Sequence, residues 1–183
     1  NDLSPLKGMN LTQLYCEGSQ VSDLSPLTGM NLTHLDLPLA RRVSDLSPLK
    51  GMKLKWLSLS YTAVADIMPL QGMPLLNLYI GETQVSDLTP LKGMPLTDLW
   101  CSHTSISDLS PLQGMLLTEL RCDHNNLIDL SPLKDMPLKA FFFDFKPERD
   151  TELLRSIKTL ETINGKPAVE FWKDFDEQQQ GKT

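Results

Sequence analysis

Apolar residues recur along this chain in two alternating patterns. The first is an i, i+3, i+5 triplet, found at Leu11/Leu14/Cys16, Leu32/Leu35/Leu37, Leu54/Leu57/Leu59, Leu75/Leu78/Ile80, Leu96/Leu99/Cys101, Leu117/Leu120/Cys122 and Leu138/Phe141/Phe143. The second is a block reading Asp-Leu-Ser-Pro-Leu or a close variant, followed by a Gly-Met or Asp-Met pair. It opens at Asp2, Asp23, Asp45, Asp66, Asp87, Asp108 and Asp129, in steps of 21, 22, 21, 21, 21 and 21 residues. A period in this range predicts a solenoid, whose stacked coils bury one continuous core. Function on such a scaffold is read by column across coils, because each coil presents the same positions at the same height.

Each coil can be resolved further. Residues around the central Leu, such as Thr97 to Cys101, read as a short parallel strand with Leu99 and Cys101 inward and Asp98 and Trp100 outward. A turn follows, then an apolar Val or Ile, then the Asp-Leu-Ser-Pro-Leu block. Ser before Pro predicts a capped helical turn, and its length suits a 3₁₀ turn. Gly8, Gly29, Gly51, Gly72, Gly93 and Gly114 are expected to end that turn in a left-handed conformation, and the Met that follows each to pack inward. The seven stacked aspartates could suggest a calcium ladder. The stronger reading is structural, each Asp capping the backbone of its own turn or a neighbour's.

The triplet is the L-x-x-L-x-L signature of leucine-rich repeats, and the chain resembles that family over residues 2 to about 145. Within it the chain is most similar to the short bacterial repeats of the internalin type, which carry a turn like Val21-Ser22-Asp23-Leu24-Ser25-Pro26-Leu27. It departs from them in repeat length and in the family's ninth-position asparagine, here Ser19, Thr62, Thr83, Thr104 and only once Asn125. A hydroxyl can make fewer backbone bonds than an amide, so fewer bonds per coil are expected. The resemblance implies an α/β fold: a leucine-rich-repeat solenoid, a curved right-handed superhelix with a parallel sheet on the concave side and 3₁₀ turns on the convex side. It also implies a C-terminal cap.

That cap begins where the pattern stops, after Asp144. Pro147 to Ile157 reads as a helix with Asp150 as its N-cap. An apolar pair and an Asn164-Gly165 turn follow, then Val169, Phe171, Trp172 and Phe175 at near-helical spacing. The expected organisation is an array of about seven coils over residues 1–145, a helical cap over 146–177 covering Phe141 and Phe143, and a disordered polar tail over 178–183. Residue 1 falls inside a repeat without a polar cap, so the expectation is a segment of a larger bacterial protein.

Composition removes some functions. A net charge of −6 argues against a nucleic-acid backbone as partner, and no run of 18 apolar residues exists to span a membrane. Cys16, Cys101 and Cys122 occupy the last position of the triplet, where Leu, Ile or Phe stands in the other coils, so three protected thiols are expected. Cys101 and Cys122 lie in adjacent coils, but inward side chains would have to turn sideways to bridge. No catalytic or cofactor motif is present, and no enzyme is expected. His103 and His124 share a column with Glu82 before them and Asp123 beside them. These ligand types suit zinc, yet column sharing brings any two side chains near, so solvated edge residues are the default reading and no metal is assigned.

The outward positions of the strands carry the functional expectation. One column runs Tyr15, Asp36, Ser58, Tyr79, Trp100, Arg121 and Phe142; the other runs Gln13, His34, Trp56, Asn77, Asp98, Glu119 and Ala140. Trp56, Tyr79 and Trp100 form a diagonal, with Arg121 and Phe142 beyond it. Trp, Tyr and Arg dominate binding hot spots, whereas the same aromatics can simply pack as cross-strand neighbours. Arg41 and Arg42, in the one coil with an extra residue, either add a cationic rim or sit in a harmless bulge. The sequence reading is a monomeric, non-catalytic recognition module that binds a protein or peptide on the concave sheet through Tyr15, Trp56, Tyr79, Trp100, Arg121 and Phe142. A passive spacer and a saccharide-binding surface are the alternatives.

Overall fold

The computed structural model describes residues 2–181. Seven three-residue strands pair in parallel, each with the next in the chain: β1 (Gln13–Tyr15), β2 (His34–Asp36), β3 (Trp56–Ser58), β4 (Asn77–Tyr79), β5 (Asp98–Trp100), β6 (Glu119–Arg121) and β7 (Ala140–Phe142). The central residues stay in step from Leu14 through Leu35, Leu57, Leu78, Leu99 and Leu120 to Phe141. The extra residue of the second coil therefore lies outside the strands. It is taken up beyond Leu39, whose φ is 63°, and Arg41 and Arg42 project from that turn into solvent.

The opposite side of each coil is a 3₁₀ turn, and the aspartate column explains it. In all seven coils the Asp Oδ1 accepts the backbone N–H two residues on, at 2.7–2.8 Å. In four of them the Ser hydroxyl also donates to Oδ2, at 2.6–2.8 Å. The cap is thus supplied by the Asp side chain; the Ser expected to cap is the first residue of the turn and caps nothing. The proline occupies the first turn, where its missing N–H costs no hydrogen bond. The glycine then adopts φ of 73° to 79°, and in the seventh coil Asp135 takes its place at 66°.

Between sheet and turns lies a single apolar core running from Leu3 to Ile163. Each of its leucines is worth about 1.5–3 kcal/mol of burial. Met30 to Met136 pack into it as expected, while Met9, in the first described coil, is half exposed. Leu11, Leu14 and Cys16 of the same coil are partly covered.

The far end is closed by α1 (Pro147–Ser156), β8 (Thr162–Ile163), β9 (Lys166–Pro167) and α2 (Ala168–Gln180). β8 extends the sheet parallel to β7, and β9 turns back antiparallel to it through Asn164 and Gly165, both at positive φ. This two-residue turn suits a tight hairpin. Ile163, Leu154 and Ile157 are buried with Phe141 and Phe143. The aromatics of α2 reach that core through Phe145, which meets Phe143 on one side and Phe171, Trp172 and Phe175 on the other.

Two sequence expectations are corrected here. Asp150 is not the N-cap of α1; Pro147 starts the helix and Lys146 is the N-cap. Fully buried, Asp150 instead accepts the Lys146 N–H at 2.7 Å and pairs with Arg149, whose Nη1 in turn donates to the Leu127 carbonyl. The tail expected to be disordered from 178 is helical through Gln180, because α2 continues past Phe175; the expectation for Lys182 and Thr183 lies outside the described residues.

Candidate functional site

Strand alternation puts the two outward columns on the solvent-facing side of the sheet, and the parallel register decides which side chains meet. Tyr79 registers with Trp100, and Trp100 with Arg121. Their rings touch: Trp56 meets Tyr79 edge-on at 5.3 Å, and Tyr79 meets Trp100 at 4.6 Å. Arg121 lies between two rings, its guanidinium carbon 3.9 Å from the Trp100 centroid and 4.2 Å from that of Phe142. Glu119, two residues earlier on the same strand, accepts from Arg121 Nε at 2.7 Å. The guanidinium is therefore held in one orientation by two cation–π contacts and one ion pair. Burial pushes the Tyr79 hydroxyl pKa up, opposed by a hydrogen bond with Trp56.

Five of the six residues singled out from the sequence thus form one continuous row. Trp56, Tyr79, Trp100, Arg121 and Phe142 are each half-buried. Tyr15 stands apart, mostly exposed at the first strand, with Asp36 and Ser58 between it and Tyr79. Burial pushes the Asp36 carboxyl pKa up. At the other end Phe142 is backed by the cap: a Cβ added to Gly165 would lie 3.4 Å from its ring.

Beside this row opens a groove of about 460 Å³ whose lining includes Trp100, Arg121, Phe142, Tyr61, Glu82, His103 and Asp123. Trp100 Nε1 is buried with no hydrogen-bond partner among the described residues. Tyr61, Ser102 and Glu119 join the site without standing out in the strand pattern. The signal for Tyr61 was the eighth position of each coil: Gly18, Leu39, Tyr61, Glu82, His103 and His124 all have positive φ, between 54° and 63°. For the four from Leu39 to His103, the backbone N–H reaches the carbonyl of the next coil at 2.9–3.0 Å. That ladder fixes where each eighth side chain starts.

A parallel sheet built from one short strand per coil, closed opposite by lone 3₁₀ turns, defines a leucine-rich-repeat solenoid. Solved structures agree. An internalin (inlC2) of Listeria monocytogenes superposes with a TM-score of 0.76 at 30% identity, covering 84% of this chain and 70% of that one. A second internalin (inlF) of the same organism gives 0.68 at 25% identity, covering 88% of this chain and 57% of that one. The chain belongs to the internalin-like leucine-rich-repeat proteins, a kind of fold that serves protein interaction. No protein-family model and no curated protein sequence matches it. Among the described residues no helix is long and apolar enough to cross a membrane.

Proposed function

We propose that this chain is a non-catalytic recognition module that binds a protein or peptide on the concave side of its sheet. The row Trp56, Tyr79, Trp100, Arg121 and Phe142 forms the centre and Tyr15 an outlying contact. The observation that carries this reading is Arg121, stacked between two rings and tied to Glu119 beside an open groove. A rigid aromatic and guanidinium surface loses little conformational entropy on docking, which is what makes these residue types hot spots. The 30% identical internalin supports an interaction role of this general kind.

The test is a selection of peptides from a random library on the intact chain, paired with a glycan array. Selected peptides are expected to lose about 30-fold or more in affinity with Trp100→Ala, equivalent to about 2 kcal/mol. They should be indifferent to Lys92→Ala and Gln113→Ala, exposed residues beside the 3₁₀ turns. Glycan binding that depends on Trp100 would move the ligand class to saccharides. Peptides that depend only on Lys92 or Gln113 would overturn the site.

A further inference from the structure

His103, His124 and Asp123 cluster at one edge of the groove, with one ligand atom from each within 4.8 Å of the others. Column sharing brings the imidazoles near each other and the backbone ladder is common to other coils, but two hydrogen bonds are particular to this place. The rings stack at 4.0 Å with an interplanar angle of 20°, so both must rotate before their in-plane nitrogen lone pairs converge on one ion. The His103 N–H makes the common ladder bond to the Asp123 carbonyl at 3.0 Å, whereas the His124 N–H donates to a side chain, Asp144 Oδ2, at 2.7 Å. The carboxylate is oriented as well: Ser102 donates its hydroxyl to Asp123 Oδ1 at 2.5 Å, which leaves Oδ2 on the His124 side, 3.7 Å from Nε2.

We infer that His103, His124 and Asp123 form a binding site for a borderline divalent cation of the zinc type. Imidazole and carboxylate are ligands this ion accepts. Bond lengths of about 2.0–2.2 Å put tetrahedral ligand atoms about 3.3 Å apart, so the three side chains must close by up to about 1.5 Å. Both histidines are exposed enough to turn, while the backbone hydrogen bonds and the Ser102 bond keep their starting points fixed. Glu82 is 3.7 Å from His103 Nδ1, outside hydrogen-bond distance, and becomes a partner for that N–H as the ring turns to ligate. Three protein ligands leave a coordination position free, and two of the three, His103 and Asp123, line the groove that Trp100 and Arg121 also line. The inference does not rest on the recognition reading, because the ion binds without a partner.

The experiment titrates zinc alone into chelator-treated intact protein, by calorimetry and by thermal melting. The expected result is one zinc per chain and a melting temperature that rises with zinc. His103→Gly and His124→Gly should each weaken binding by about tenfold or more and abolish the rise. Glycine keeps φ of 54° and 55° without strain, so these variants fold. Ser102→Ala should weaken binding less, and His34→Ala and Cys16→Ser not at all. No zinc bound at micromolar free ion, binding that survives the double His103→Gly/His124→Gly change, or binding lost in Cys16→Ser would each overturn the inference. None of these outcomes bears on peptide binding by Trp100.

Discussion

Asn125 shows what a single side chain contributes to a repeat. Its amide nitrogen donates to the Cys101 and Cys122 carbonyls at 2.8 and 3.1 Å, while Oδ1 accepts from the Thr104 N–H and hydroxyl at 3.1 and 2.8 Å. Thr62 and Thr83, at the same position, donate one hydroxyl bond each to their own coil, at 2.7 and 2.6 Å. The expectation of fewer bonds in Thr coils is met at these positions. The cysteines separate in the same way. Cys101 and Cys122 are buried, and burial pushes the Cys101 thiol pKa up to about 12 and that of Cys122 well up. Cys16 is only partly covered, although burial raises its pKa too. Of the three thiols expected to be protected, Cys101 and Cys122 are buried and Cys16 is half-buried in this chain. A thiol reagent should modify Cys16 in the native protein and the other two only on unfolding. Two or three thiols reacting at one rate under native conditions would contradict this.

At the scale of the element, period and spacing made the strands and turns legible. An i, i+3, i+5 triplet admits one register in a parallel sheet, and a slip by one residue would turn every Leu outward. The start of α1 was not legible in the same way. Asp150 has the composition of an N-cap, but Pro147 presets helical φ three residues earlier, and the carboxylate then reaches back to the Lys146 N–H. Removing one partner of a buried ion pair strands the other, so Asp150→Ala should cost about 3–5 kcal/mol, measured by urea unfolding; a loss below about 1 kcal/mol would show the pair to be dispensable. The Asp turns contribute to acid sensitivity. Hydrogen bonds from the residue two positions on hold the carboxyl pKa of Asp2, Asp45, Asp87 and Asp129 below its ordinary value. A depressed folded pKa contributes stability above the unfolded value of about 3.9 and loses it as pH falls through the folded value. Melting temperature should therefore drop below about pH 4, and less so when these four positions carry Asn.

Across the whole molecule, coils support one another only through their neighbours, so the ends matter more than their size suggests. The cap covers Phe141 and Phe143 and occupies the edge of β7. Deleting residues 146–183 should give an aggregating or strongly destabilised chain, read by light scattering and thermal melting. A truncated chain that stays monomeric with an unchanged melting temperature would make the cap an appendage. The solenoid and the outward columns were legible because a repeat converts spacing along the chain into neighbours in space. The Arg121 stack and its Glu119 tether were not, since they depend on side-chain rotamers that a column cannot specify.

The central claim is that the Trp100–Arg121 row recognises a partner and does not merely hold the sheet together. It is tested most directly by measuring Trp100→Ala twice, for affinity towards a selected peptide and for unfolding free energy. Trp100 is half-buried against Tyr79 and Arg121, so its truncation should cost roughly 1–2 kcal/mol of stability. The coil should remain folded because Leu99 beneath it is untouched. The account predicts an affinity loss of about 30-fold or more in a protein whose melting remains cooperative. An affinity unchanged by Trp100→Ala, or a variant that no longer folds, would contradict it.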